Sequence, residues 1–379
     1  MNEKRFKIFF FGYPAKSMNY TGGFLWMKRV ADYIEHSNRY SVSKSYQHDS
    51  SKKIIHRVYD KICDLCRIII YSPNVAIIDA WGESSILVWL ILRVFRKNTK
   101  IFVVFHHYEE RIPIRKNFIE AAYNLIIEII TSKMLKNSDI ILTVSKSSMK
   151  DLKSFYDIGK PIPNNFDINE TLISKNIDGN KIAVVGTGID VELLSVMIEA
   201  MKKTNSKKDI DFLCLGRIEK FFLLEKVWMK IKELRPNSRL VMIGRASAEA
   251  IAKFSSIGIE HRGFVSEEEK IELYSRTKVF LFPSSREGFG IAVAEALVLE
   301  IPVIAWEIPV FKDLYSNYEE DKIKLVKIGD WESFANESIN AINKYNMNYK
   351  SMKLTKSKII FPTWRTVAQN VISIIEYAK

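Results

Sequence analysis

Short, nearly unbroken apolar runs alternate along this chain with longer stretches whose apolar residues return every three or four positions. In the first half the runs are KIFFFG (7–12), VAIIDA (75–80), IFVVFH (101–106) and IILTVS (140–145). Runs this short, without polar alternation, are those of parallel strands covered on both faces. Helical periodicity fills the intervals at 22–36, 52–70, 84–96 and 116–136. Strand and helix in strict alternation predict an α/β fold with a doubly wound sheet.

The series then begins again. IAVVGTG (182–188) closes the first half, and a helical stretch from about Val191 to Lys203 leads to the polar break TNSKKD. DFLCLG (211–216), RLVMIG (239–244), IEHRGFV (259–265), VFLFPS (279–284) and PVIAW (302–306) follow, with helical stretches between them. Two consecutive Rossmann-like domains are expected, at 1–185 and 186–360, followed by a terminal helix at 361–379. Doubly wound sheets bind ligands at the carboxyl ends of their strands, so a cleft between two such domains is the expected site.

Composition narrows the class. With 379 residues, 47% hydrophobic and 27% charged, the chain can bury two cores. The longest uncharged stretches, Ile68 to Ile78 and Ser84 to Leu92, fall well short of the roughly 18 to 20 apolar residues of a membrane span. KIFFFG is too short for a signal-peptide core and lacks a cleavage site after it, so a cytoplasmic protein is expected. The formal charge is +13 and uneven: residues 1–178 carry 27 Lys and Arg against 18 Asp and Glu, the remainder 30 against 26. A basic first half suits an anionic lipid or a phosphate-bearing partner, although a genome rich in Lys codons gives the same bias. No Lys/Arg-dense block with interleaved aromatics is present, so nucleic acid is not an expected partner. One hypothesis is peripheral docking on the inner face of the plasma membrane through the basic half and SSILVWLIL (84–92), a stretch that more often describes a buried helix. Cys63 and Cys66 form a C-x-x-C, but Ile54, Ile55, Val58, Tyr59, Ile62 and Leu65 recur around them at helical spacing. No second pair is available, so a helix face is preferred to a metal or redox site.

The chemistry concentrates in VFLFPSSREGFGIAVAEALVLEIPVIAW (279–306). A buried strand ends at Pro283-Ser284, a loop presents Glu287, and Gly288-Phe289-Gly290 opens a helix. Glycines let backbone N–H groups approach a ligand, and a helix start offers unpaired donors at the positive end of its dipole. That arrangement suits a diphosphate. Glu295 lies about two turns into the helix, so the two acids address different parts of one extended ligand. Each carboxylate accepts paired hydroxyls, as a ribose or hexose presents.

This stretch resembles the E-x7-E signature of retaining GT-B glycosyltransferases, glycosyltransferase family 4 in particular. The resemblance implies that Glu287 touches the transferred sugar and Glu295 the ribose, while the amides of Gly288, Phe289, Gly290 and Ile291 take the sugar and pyrophosphate. LGRIEKFFLLEK is similar to the family's G-R-L-x-x-x-K-G segment, whose Arg and Lys neutralise donor phosphates. Arg217 fits that pattern, but Phe222 stands where the lysine is expected; Lys220 is assigned the role, with Lys226 as the alternative. YTGGF (20–24) resembles the glycine-rich first loop and implies donor contacts at Gly22 and Gly23. His106, in VVFHHYEER, aligns with a histidine that contacts donor sugar and phosphate; Asp79, Trp81 and Glu83 are candidates for acceptor binding. VVGTGIDVELL (184–194) looks like the N-G-V-D boundary turn with Thr187 in place of Asn, and PNNFD (163–167) resembles it too. FPTWRTVAQNVISIIEYAK is similar to the closing helix that crosses back to the first domain.

The resemblance as a whole implies the GT-B fold, two Rossmann-like domains facing across a cleft. The implied reaction moves a hexose-type sugar from a UDP- or GDP-linked donor to a glycan or lipid-linked acceptor. Retention is implied, with neither metal nor cofactor, and the catalytic set is Glu287, His106, Arg217 and Lys220. A sugar-nucleotide epimerase on the same fold, or a non-catalytic nucleotide-binding partner subunit, are the alternatives.

Overall fold

The apolar runs become the centres of two parallel sheets. The computed structural model describes residues 5–14, 22–47, 63, 65–80, 83–107, 118–156, 182–190, 194, 199, 208–217, 220–316, 318, 322–348 and 361–379. The chain divides into two units: Met1–Gly188 with Pro362–Lys379, and Ile189–Phe361.

Unit 1 is built on β1 (Lys7–Pro14), β2 (Ser41–Gln47), β3 (Val75–Asp79), β4 (Lys100–Phe105), β5 (Ile140–Thr143) and β6 (Ile182–Val184). They are parallel, in the order β2-β1-β3-β4-β5-β6. Its helices are α1 (Gly22–His36), α2 (Glu83–Phe95), α3 (Phe118–Lys136) and α4 (Lys146–Tyr156). Every residue of β3 and β5 is buried, as continuous apolar runs require. The order reverses between β1 and β3, where connections leave for opposite faces and a crevice opens at the carboxyl ends.

Unit 2 holds β7 (Ile210–Leu215), β8 (Leu240–Ile243), β9 (Ile259–His261), β10 (Thr277–Phe282), β11 (Val303–Trp306) and β12 (Ile323–Val326). Its helices are α5 (Leu224–Leu234), α6 (Ala248–Ser256), α7 (Glu267–Arg276), α8 (Ile291–Val298), α9 (Pro309–Tyr315) and α10 (Trp331–Asn348). The order β12-β11-β10-β7-β8-β9 places the reversal between β7 and β10. The core around it is strongly aromatic, with Phe212, Trp228, Tyr274, Phe280, Trp306 and Phe311 fully buried.

The terminal helix α11 (Trp364–Tyr377) belongs to unit 1 and packs on α1. The segment after β6 is held between the two. Trp26 Nε1 donates to Gly186 O at 3.0 Å and Asn370 Nδ2 to Val185 O at 3.2 Å. A Cβ on Gly188 would stand 2.4 Å from Trp364 N, so only glycine permits that approach. This fastening carries unit 1 to Gly188, three residues beyond the boundary expected at 185.

Two strands were not legible. β2 (SVSKSYQ) and β12 (IKLV) are both sheet edges, which carry polar side chains and lose the continuous apolar signature. Within SSILVWLIL, α2 buries Ile86, Val88, Trp89 and Leu92 while exposing Leu87 and Leu90. Of the helix expected at 52–70, only 63 and 65–70 are described and helical; Cys63 and Cys66 are free thiols. Among the described residues no helix is long and apolar enough to cross a membrane.

Candidate active site

In unit 2 the residues expected at the site lie on and beside the loops that leave β7 and β10 on either side of the strand-order reversal. Gly216 ends β7 with φ +152°, and a Cβ on neighbouring Gly244 would stand 2.0 Å from Gly216 O. The backbones here pass too close for any side chain at Gly244. Arg217 follows, half-buried. The β7 loop is then stitched to the β10 loop: Phe222 N donates to Pro283 O at 2.8 Å and Ser285 N to Lys220 O at 3.1 Å, flanking a Phe221–Ser284 bridge.

That stitching brings Lys220 beside Glu287, with Nζ 3.9 Å from Oε1, and Ser284 Oγ donates to the same oxygen at 2.8 Å. Lys226 is exposed on α5, and Phe222, at the position where a lysine was expected, is 45% exposed. Lysine and acid thus form a mixed-charge pair with limited access to water.

The glycine turn follows. Gly290 adopts a left-handed conformation (φ +86°) as the N-cap of α8, and no side chain caps the helix. A Cβ there would lie 2.6 Å from Phe311 Cε1, so the turn rests directly on the core. α8 begins at Ile291 and not at Phe289 as expected, because the left-handed Gly290 cannot be part of the helix. Val293 and Ala294 N–H groups return to Gly290 O, which leaves the amides of Ile291 and Ala292 ahead of the first intrahelical bond. The Phe289 ring is buried against Phe361, so of that residue the amide alone is offered to a ligand.

Beyond the turn, the Glu295 carboxylate is gripped at both oxygens. Lys270 Nζ is 3.2 Å from Oε1 and Tyr274 OH 3.2 Å from Oε2, both side chains coming from α7. Burial and the adjoining Glu295 charge raise the Tyr274 hydroxyl well above its usual pKa. Burial alone would lower Lys270; the carboxylates of Glu295 and Glu267 outweigh it and hold the ammonium above its ordinary value. Neither residue was read from the sequence. Their spacing of four on one helix face gave no sign that α8 lay opposite.

In unit 1, His106 and Asp79 end adjacent strands, and His106 Nε2 lies 3.8 Å from Asp79 Oδ2. Trp26 of α1 meets the imidazole edge-on, and Ser148 of α4 donates to the His106 carbonyl. Gly23, in the first turn of α1, sits so near that a Cβ would be 3.1 Å from His106 Nε2. Gly22, exposed, opens the same helix. The structure therefore gathers Gly23, Asp79 and His106 at the reversal between β1 and β3. Trp81, the PNNFD segment and the Glu83 side chain lie outside the described residues.

Two Rossmann-like units, each with candidate residues at the strand ends beside the reversal of its sheet, have the fold of GT-B glycosyltransferases. The family "Glycosyl transferases group 1" matches residues 180–356, so the chain carries a group 1 domain over that span. It is 26% identical over 298 residues to the O-antigen chain mannosyltransferase RfbU of Salmonella typhimurium, covering 69% of this chain and 73% of the relative. Among solved structures, sucrose-phosphate synthase from Thermosynechococcus elongatus shares the fold with a TM-score of 0.64 at 14% identity, over 98% of this chain and 94% of that one. Anabaena HepE in complex with UDP-glucose does so with a TM-score of 0.60 at 12% identity, over 98% and 94%.

Proposed function

We propose that the chain transfers a hexose-type sugar from a UDP- or GDP-linked donor to a glycan or lipid-linked acceptor, with retention and without a bound metal or cofactor. Mannose is the first sugar to test, because the relative RfbU bears the name of a mannosyltransferase. The proposed setting is the cytoplasm. The observation that carries the reading is the start of α8: a helix without a side-chain cap, behind a left-handed glycine, with Lys220 and Glu287 on one side and Glu295 on the other.

Each part has a role in that reading. The diphosphate sits at the amides of Gly288 to Ile291, where the helix dipole favours negative charge. Arg217 and Lys220 neutralise it, most strongly as charge develops on the departing diphosphate; this is electrostatic stabilisation by groups fixed in advance. Glu287, oriented by Ser284, accepts from donor-sugar hydroxyls. Glu295, oriented by Lys270 and Tyr274, accepts from the ribose. His106, Gly22 and Gly23 are the proposed contribution of unit 1 to sugar and phosphate contacts, with Asp79 as a candidate for the acceptor.

Thermal unfolding with a panel of nucleoside diphosphates tests this reading. A ligand at ~100 times its Kd adds about 2.7 kcal/mol of stability, a shift of several degrees. One diphosphate should stabilise the protein, and Arg217→Ala should lose that shift. Glu287→Gln should keep the shift while sugar transfer is lost. A flat response to every diphosphate overturns the proposal, and interconversion of nucleotide sugars without acceptor would make the chain an epimerase instead.

A further inference from the structure

We infer that the outer face of α2 and α3 in unit 1 is a docking surface for an anionic lipid membrane. Both helices bury one side in the unit 1 core, through Ile86, Val88, Trp89 and Leu92 of α2 and Met134 and Leu135 of α3. The other side is also apolar. Leu87, Leu90, Val94 and Phe95 on α2 and Leu125, Ile126 and Ile129 on α3 are each between 42% and 63% exposed. Single exposed leucines are ordinary on a protein surface; seven large apolar side chains on two helices that pack together are not.

Their placement is regular. Leu87, Leu90 and Val94 recur at helical spacing along α2. Leu125 and Ile129 recur along α3, and that stripe continues into exposed Lys133 and Lys136. α2 and α3 lead into the paired strands β4 and β5, so their C-terminal ends lie together. Cations crowd that rim: Arg93, Arg96, Lys97 and Lys100 from one connection, with no acid between Ile91 and Lys100, and Lys133 and Lys136 from the other. Asp139, the acid closest in sequence, is engaged by Arg93 at 3.2 Å.

A face of apolar stripes edged by a basic rim matches a surface that supplies both hydrocarbon and negative charge, as anionic lipid does. A second copy of the chain matches the stripes but not the rim, because each copy carries a net +13. The exposed stripe on α3 more than doubles the apolar surface that SSILVWLIL alone suggested.

Flotation of the whole protein with vesicles tests the inference. Phosphatidylcholine vesicles containing phosphatidylglycerol should carry the protein, and pure phosphatidylcholine vesicles much less of it. Leu125→Ser with Ile129→Ser should cut partitioning at least tenfold. Lys133→Glu with Lys136→Glu should also cut it, by roughly fivefold or more per lysine, and added salt should weaken wild-type binding in the same way. Both double variants change solvent-facing side chains, so melting temperature and the diphosphate response of unit 2 should stay at wild-type values. Absence of binding to anionic vesicles, or equal binding by wild type and both variants, overturns the inference. A dimer in sedimentation that Leu125→Ser with Ile129→Ser dissolves, without vesicle binding, assigns the face to a second copy and overturns it too.

Discussion

Replacing Gly290 by alanine separates two physical demands on the glycine turn. The first is conformational: φ of +86° lies in the left-handed region, where a Cβ costs about 1–2 kcal/mol. The second is steric, since the new methyl would stand 2.6 Å from Phe311 Cε1 and 3.0 Å from Cζ. Phe311 is fully buried and packed on Phe282 and Tyr315, so its ring cannot swing aside, and such overpacking adds about 1–3 kcal/mol. Gly329→Ala is the internal control: its φ is +93°, but nothing lies within 4 Å of a Cβ there. Gly290→Ala should therefore destabilise unit 2 by roughly 2–5 kcal/mol and Gly329→Ala by only about 1–2, read from urea unfolding midpoints at constant slope. Phe311→Leu should recover part of the loss in the Gly290→Ala background, a coupling that a double-mutant cycle measures. The Gly290→Ala protein should also lose its diphosphate-induced thermal shift, since the amides proposed to receive the ligand must move. Equal losses for the two alanines, no coupling to residue 311, or an intact ligand response would refute this account of the turn.

Three further outcomes follow from the geometry. Lys270→Met leaves the mostly buried Glu295 carboxylate with Tyr274 as its remaining side-chain partner among the described residues, so stability should fall by about 1–3 kcal/mol and nucleotide affinity should weaken; Tyr274→Phe should cost ~1 kcal/mol, both measured by unfolding and titration calorimetry. The hydrogen bond from Arg276 chiefly holds the Asp209 carboxyl down at about 2, below the 3.8 of the unfolded chain. Its stabilisation is thus present above about pH 4 and lost as pH falls towards 2; solvent screening limits it to about 1 kcal/mol, and the stability curves of wild type and Asp209→Asn should converge at the acid end. Gly23→Ala pushes a methyl against His106 and should lower transfer about tenfold while weakening the diphosphate thermal shift less than Arg217→Ala does.

What the sequence disclosed follows from which side chains face two ways at once. β3, β4, β5, β8 and β10 were legible because a strand between two helical layers has no polar side. β2 and β12 were not, because an edge strand is covered on fewer sides and its alternation reads as loop. The placement of Glu287, the glycine turn and Glu295 relative to one another was legible because strand, loop and helix are contiguous there. Lys220 was not separable from Lys226 on spacing, since what places it is the pairing of Phe222 N with Pro283 O, a contact between segments some sixty residues apart. Lys270 and Tyr274 escaped notice for the same reason: α7 meets α8 only in the folded unit.

The site chemistry of unit 2 is a consequence of its topology. Right-handed connections on either side of the β7/β10 reversal send successive helices to opposite faces of the sheet, so the loops leaving these two strands must diverge. Divergent loops leave a crevice but would also hold their side chains apart. The Phe221–Ser284 bridge resolves this conflict by tying the loops together just above the strand ends. Lys220 and Glu287 stand immediately beside that tie, one on each loop, and it is the tie that sets their 3.9 Å separation. A substitution that breaks it, such as Ser285→Pro, which removes the N–H that donates to Lys220 O, should separate the cation from the acid without altering either residue. The lysine and the glutamate are thus one structural unit, although 66 positions of sequence lie between them.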